Sequence, residues 1–191
     1  MVDGSSLQNV DWSTLPTPED DGAARHLPGM RMADVALPST AGGEISLAAL
    51  PGRTVVFAYP MTGTPGVALP DGWDAIPGAR GCTPHACAFR DLHAELTAAG
   101  ATQVFGLSVQ RPADQREAAD RLHLPFPLLS DERRELAGAL RLPMMEVNGR
   151  PLLKRLAFVA DDGEIVKVFY PVFPPDRNAG DVLAWLKANP R

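Results

Sequence analysis

The chain has 191 residues and a formal net charge of -5, and Lys and Arg form no run along it. This length predicts one domain with some additional loop or tail, large enough to bury an apolar core without metals or structural disulfides. The acidic balance excludes nucleic acid and anionic membranes as expected partners, since both require a basic surface. No apolar stretch could span a bilayer and the first residues do not form a secretory signal, so we expect a cytoplasmic protein.

The first 27 residues are the least globular part of the sequence. They are polar, contain prolines and include the acidic cluster Glu19–Asp21. This composition predicts a tail that is flexible or lies along the domain, with Trp12 and Leu15 as candidate anchors. We therefore divide the chain into a tail over residues 1–27 and a domain over residues 28–191.

Beyond the tail, β-rich apolar runs alternate with helical patterns. The run at 54–59 is continuously apolar and ends at Pro60, which predicts a strand buried on both faces. Residues 61–81 are rich in Gly and Pro and predict a long loop. Further strands are predicted at 44–47, 103–109, 126–129, 153–159 and 164–170, and helices at 83–99, 113–122, 132–140 and 179–188.

The order of these elements predicts an α/β fold. Strands that alternate with helices indicate βαβ units around a mainly parallel sheet. A closing antiparallel hairpin over residues 153–170, followed by a last helix, makes the arrangement thioredoxin-like. In that fold a reactive cysteine lies after the first core strand, at the N-terminus of a helix.

Only two cysteines occur, Cys82 and Cys87. A structural disulfide between them would close a very short loop and restrict the unfolded chain little. We expect Thr83 to cap the following helix and Pro84 to take its first position, which places Cys82 at the positive end of the helix dipole and favours a thiolate. The alternatives are an inert apolar Cys82 and a Cys87 that only packs in the core.

The histidines suggest a second kind of chemistry. His85 lies between the two cysteines and makes a zinc set conceivable, with His26 or His123 as a distal ligand. Three ligands on one helical turn converge poorly on a tetrahedral metal, so we rank metal binding below redox chemistry. The spacing of His93 favours a packing or surface residue.

Three segments resemble the Q-type peroxiredoxins, also called bacterioferritin comigratory proteins. The stretch Gly81–Asp91 has the family's Gly-Cys-Thr, four residues between the cysteines, and then an aromatic residue, Arg and Asp. Residues 125–131 are similar to the family's PFPLLSD segment, and residues 155–159 to its strand with an Arg three positions before a Phe. The likeness covers roughly residues 28–188.

The resemblance implies a thiol peroxidase that reduces hydrogen peroxide and organic hydroperoxides and needs no bound cofactor. Cys82 would form a sulfenic acid, Cys87 would convert it into an intramolecular disulfide, and thioredoxin or a similar dithiol donor would reduce that disulfide. Arg155 would be the active-site arginine, facing inward beside Cys82. The protein would act as a monomer or homodimer. The alternative functions are a protein disulfide oxidoreductase of the thioredoxin fold and a metal-handling protein.

The sequence departs from the family at one position. The family carries a threonine three residues before the reactive cysteine, where this chain has Ala79. Thr62 and Thr64 follow Pro60 at about the expected spacing, but residues 67–81 then intervene before Cys82. Either Thr62 or Thr64 folds back beside Cys82, or the threonine's role is altered. The intervening segment would shape substrate access, form an interface or be a mere insertion.

Overall fold

The structure is a computed structural model, and it describes residue 7 and residues 9–191. The remaining residues of the predicted tail lie outside this description. Nine strands are described: β1 (Ala36–Pro38), β2 (Glu44–Ser46), β3 (Arg53–Ala58), β4 (Gln103–Ser108), β5 (Leu128–Ser130), β6 (Met144–Val147), β7 (Arg150–Leu153), β8 (Leu156–Asp161) and β9 (Glu164–Phe169). From residue 9 onwards the α-helices are α1 (Cys82–Asp91), α2 (His93–Ala98), α3 (Pro112–Leu122), α4 (Glu135–Leu140) and α5 (Asn178–Ala188).

A five-stranded sheet in the order β5-β4-β3-β8-β9 forms the centre of the domain. β3 pairs with β4, and β4 with β5, in parallel, whereas β8 pairs antiparallel with both β3 and β9. The predicted thioredoxin-like fold with a closing hairpin and helix is confirmed. The sheet is mixed rather than mainly parallel, because the hairpin supplies two of its five strands.

Alternate residues of β3 build the core on the two faces of this sheet. Val55 and Phe57 pack against α1, α3 and α5, where Phe89 and Leu122 are among the buried partners. Val56 and Ala58 pack on the other face against α4 and the chain before β1. Strand side chains alternate between faces, so a continuous apolar run is the pattern that a strand covered on both sides requires.

Three boundaries differ from those predicted. The helix that carries the cysteines begins at Cys82 with Gly81 as its N-cap, so the predicted cap at Thr83 is wrong. This helix ends before Leu92, whose N–H donates to the carbonyl oxygens of Ala88 and Arg90. The next helix, α2, then begins separately. The strand predicted over 153–159 is divided between β7 and β8, which leaves Lys154 and Arg155 between them.

The hairpin β6–β7 was not predicted, although the sequence contains its signal. Asn148 and Gly149 connect the two strands with φ values of 51° and 75°. An Asn-Gly pair with positive φ at both positions is the preferred two-residue turn of a β-hairpin. The hairpin packs against the predicted loop, where Trp73 forms a small apolar cluster with Val147 and Leu152.

The predicted tail makes specific contacts with the domain. Leu27 and Ala24 belong to the core, and Asp21 pairs with Lys154 at 2.6 Å. The Trp12 indole N–H donates to Asp176 at 2.8 Å and its ring packs edge-on against Phe173. Among the described residues, no helix is long and apolar enough to cross a membrane.

Candidate active site

Cys82 is the first residue of α1 and is 4 % exposed. The backbone before it requires glycine, because Gly81 has a φ of 102° and a Cβ there would lie 2.6 Å from the Trp12 ring and 2.9 Å from Pro175. The thiol contacts the carbonyl oxygen of Ala79 at 3.6 Å. The unpaired N–H groups at the start of the helix favour an anion at this position, which suits a thiolate.

Arg155 lies beside this thiol and is 3 % exposed. Its Nη2 is 3.1 Å from Cys82 Sγ and also donates to the carbonyl oxygens of residues 78–80 at 3.2–3.3 Å. The side chain of the neighbouring Lys154 instead reaches outward to Asp21. The loop before α1 therefore encloses the guanidinium with three carbonyl groups and holds it against the sulfur.

His85 holds the other terminal nitrogen of Arg155. The ring is fully buried, with Nδ1 3.0 Å from Arg155 Nη1 and Nε2 2.9 Å from Asn178 Oδ1. Arginine can only donate, so Nδ1 is the acceptor and Nε2 carries the proton that it donates to Asn178. Burial, together with the charge of Arg155, holds the pKa of His85 well below its usual value, which keeps the ring neutral.

Sequence reasoning missed this positioning role. The sequence indicates for His85 only a conceivable role as a metal ligand, and it contains no signal for Asn178. Asn178 lies at the start of α5, 93 positions from His85, and no local sequence pattern connects the two. In the described residues, no group of three or more His, Cys, Asp or Glu could hold a metal ion. His26 instead contacts the Leu140 carbonyl at 2.9 Å.

Cys82 lines a small, partly open recess of about 10 Å³. Its walls include Met61, Leu69 and Trp73 from the loop before α1 and Leu7 from the N-terminal segment. This volume is at the lower limit for a single water molecule. Segment 67–81 and Leu7 therefore leave little room beside the sulfur of Cys82, which is only 4 % exposed.

Neither candidate threonine is a hydrogen-bond partner of Cys82 in the described structure. Thr62 is buried and bonds Gln110 Oε1 through both its amide, at 2.9 Å, and its hydroxyl, at 3.2 Å. Thr64 is half-buried on the same loop. Ala79 takes the position next to the sulfur and contributes a carbonyl oxygen, which accepts a hydrogen bond but cannot donate one.

Cys87 lies further along α1 as a second free, half-buried thiol. It lines a surface cleft together with Pro84, Asp91 and Asp176. Burial raises the pKa of the Cys87 thiol, and the nearby Arg90 opposes this only in part. At this half-buried position Cys87 is thus a poor nucleophile, because its raised pKa favours the neutral thiol.

Comparison with known proteins identifies the family. The redoxin family model matches residues 27–183. A chloroplastic peroxiredoxin Q from Oryza sativa subsp. japonica is 32% identical over 149 residues, which are 77% of this chain and 60% of that protein. The chain thus spans less than two thirds of the length of this plant relative.

Two solved structures extend the similarity to the fold. The peroxidoxin BcpB of Mycobacterium tuberculosis superposes with a TM-score of 0.67 at 30% identity, over 84% of this chain and 96% of that one. The bacterioferritin comigratory protein of Xanthomonas campestris, studied for alkyl peroxide reduction in trapped intermediate and ligand complexes, gives 0.64 at 25% identity over 91% and 96%. The chain therefore belongs to the redoxin family and, within it, to the Q-type peroxiredoxins.

Proposed function

We propose that the protein is a thiol peroxidase in which Cys82 attacks the peroxide and Cys87 resolves the product. The observation that carries this proposal is the contact of 3.1 Å between Arg155 Nη2 and Cys82 Sγ. A guanidinium remains charged at any working pH, so it stabilises the thiolate and the negative charge that develops on the leaving oxygen. Neutral His85 supports this role, because it orients the guanidinium without adding a charge.

In the first step the Cys82 thiolate attacks one oxygen of the hydroperoxide. The S–O bond forms as the O–O bond breaks, and the second oxygen leaves as an alkoxide or hydroxide that takes up a proton. The cysteine becomes a sulfenic acid, oxidised by two electrons. The Ala79 carbonyl oxygen lies 3.6 Å from Cys82 Sγ and can accept a hydrogen bond from the O–H of the incoming hydroperoxide.

In the second step the Cys87 sulfur attacks the sulfenic sulfur, releases water and forms a disulfide. Residues five apart on a helix have Cα atoms about 8–9 Å apart, beyond the ~7 Å limit for a disulfide without backbone movement. The first turns of α1 must therefore open. Opening also exposes Cys87 to water, which removes the burial that raises its pKa and makes the thiolate accessible.

A dithiol donor such as thioredoxin then reduces the disulfide by exchange and restores both thiols. Such donors keep thiols reduced in the cytoplasm, which is the location we propose. The alternative function, exchange with protein disulfides, requires access of a bulky partner to Cys82. The low exposure of that thiol, 4 %, supports a small substrate instead.

The test is peroxide-dependent NADPH oxidation with thioredoxin and thioredoxin reductase. We expect turnover with the parent protein and none above background with Cys82→Ser. The control variant is Ser13→Cys. It adds a thiol at an exposed residue of the N-terminal segment, without an arginine beside it, and its turnover is compared with that of the parent protein. Near-normal turnover by Cys82→Ser would refute the proposal.

A further inference from the structure

Trp12 of the N-terminal segment packs over the residue that precedes the reactive cysteine. Gly81 is the N-cap of α1, and a Cβ on it would lie 2.6 Å from the six-membered ring of Trp12. The indole N–H donates to Asp176 Oδ2 at 2.8 Å, and the ring lies edge-on to Phe173 with 6.2 Å between the ring centroids. The start of α1 is therefore covered by an aromatic side chain from a distant part of the chain.

The surface on which Trp12 packs is complete only while α1 is closed. The His85 N–H donates to the Gly81 carbonyl oxygen at 3.0 Å, and this bond joins the N-cap to the first turn of the helix. The 3-10 turn Pro175–Arg177, which carries the carboxylate partner of Trp12, packs against α1, and Pro175 lies against Gly81. Opening the first turns of α1 breaks the bond between His85 and Gly81 and moves the backbone beneath the indole.

Other contacts of the N-terminal segment lie on the loop that leads into Cys82. A Cβ on Gly78 would lie 3.6 Å from Pro18 Cβ, and a Cβ on Gly63 would lie 2.8 Å from Leu7 Cδ2. Asn9 borders the cleft in which Cys87 lies. We call residues 9–18 the strap, because they lie along the residues that must move when the two cysteines meet.

The residues that follow the strap are fixed to a different part of the domain. The Asp21 carboxylate accepts a hydrogen bond from Lys154 Nζ at 2.6 Å and another from the Tyr170 hydroxyl at 2.8 Å. Ala24 and Leu27 are buried in the core. None of these four partners lies on α1. A strap that loses its contacts with α1 and the loop therefore remains attached to the domain at Asp21.

We propose that the strap responds to the redox state of the cysteines: it holds α1 closed while both thiols are reduced, and disulfide formation releases it. This proposal rests on the disulfide between Cys82 and Cys87 in the proposed function. The disulfide requires the first turns of α1 to open, so the closed form alone makes all the contacts of Trp12. The coupling is reciprocal: the strap disfavours the disulfide, and the disulfide weakens the binding of the strap.

Release of the strap is measured by fluorine NMR of protein labelled with fluorotryptophan, before and after oxidation with diamide. Diamide takes up the two thiol hydrogens and so forms the disulfide without peroxide, and intact mass confirms the loss of both hydrogens. The Trp12 resonance, assigned with Trp12→Phe, should move to its position in the urea-unfolded protein. Trp185 on α5, which packs against Arg53, is the internal control and should keep its resonance position.

The coupling is measured as the thiol–disulfide equilibrium of Cys82 and Cys87 in buffers of reduced and oxidised dithiothreitol. Trp12→Ala should shift this equilibrium at least ~5-fold toward the disulfide, which is the lower end of the usual range for coupled sites. Ser13→Ala is the matched control on the same segment, because the exposed Ser13 hydroxyl donates to the neighbouring Asp11 at 2.7 Å. It should leave the equilibrium at the parent value.

A Trp12 resonance that stays in place after the disulfide has formed, or an equilibrium that Trp12→Ala leaves unchanged, would overturn the role of the strap. A protein that forms the disulfide with diamide and releases Trp12, but consumes no peroxide, would refute the peroxidase function and leave the strap supported. If neither diamide nor peroxide produces the disulfide, the resolving step and the redox release of the strap are both refuted.

Discussion

Replacement of Arg155 by Met tests the electrostatic basis of the site. Nη2 lies 3.1 Å from Cys82 Sγ, and two unit charges at that separation attract by about 5 kcal/mol at an effective dielectric constant of about 20. In the variant, water solvates the thiolate and restores part of this lost stabilisation energy. Loss of one preorganised donor to a developing oxyanion typically costs ~100- to 1000-fold in rate, and we expect Arg155→Met to lie in that range.

The assay is stopped-flow oxidation of the reduced protein by hydrogen peroxide, which isolates the first step from recycling. Arg155→Lys should fall between the parent and Arg155→Met, because lysine keeps the charge but loses the planar fork that reaches both Cys82 and His85. Lys167→Met, which removes a cation on β9 remote from the thiol, is the matched control and should react at the parent rate. A rate for Arg155→Met within about threefold of the parent would contradict the role of the guanidinium.

Three further predictions concern the resolving step, the cover of the site and the buried histidine. Cys87→Ser should react once with peroxide but fail to recycle through thioredoxin, and mass spectrometry should then find a sulfenic acid or its over-oxidised products on Cys82. Trp12→Ala should increase amide hydrogen exchange over residues 82–89 in the reduced protein, because it removes the indole packed over Gly81 and its bond to Asp176; unchanged protection would show that the N-terminal segment does not restrain α1. Because the pKa of His85 is depressed in the folded state, the unfolded chain binds the extra proton as pH falls below about 6.5, so stability should decline there by at most about 1.4 kcal/mol per pH unit. Urea unfolding at several pH values tests this, and His85→Gln should flatten the decline.

Much of the fold could be predicted because the central strands have a strong local signal. The continuous apolar run of β3 indicates a strand that is buried on both faces. The Gly-bearing turn between β8 and β9 indicates that the chain reverses its direction there. The boundaries of α1 were harder to predict. Its N-cap is Gly81, which has a positive φ and no capping side chain, and Trp12 packs over Gly81 from a distant part of the chain. The β6–β7 hairpin has a local signal in Asn148-Gly149, the preferred pair for a two-residue turn.

Only those residues of the candidate site that lie in local motifs or in segments resembling the family could be predicted. The two cysteines and Arg155 stand in recognisable segments, although their catalytic roles stay predictions. Positioning of the arginine by His85 and Asn178 depends on the packing of α1 against α5, which local sequence does not encode. The cover formed by Leu69 and Trp73 likewise arises from long-range packing of the loop against the β6–β7 hairpin.

The most direct test of the proposed thiol peroxidase function is the intact mass of the reduced protein after one equivalent of hydrogen peroxide. We predict a monomer that has lost two hydrogens, with peptide mapping that links Cys82 to Cys87 and with Cys82→Ser unchanged in mass. An unchanged mass of the parent protein after complete mixing with peroxide would contradict the attack by Cys82. A disulfide that joins two chains would contradict the intramolecular resolution by Cys87.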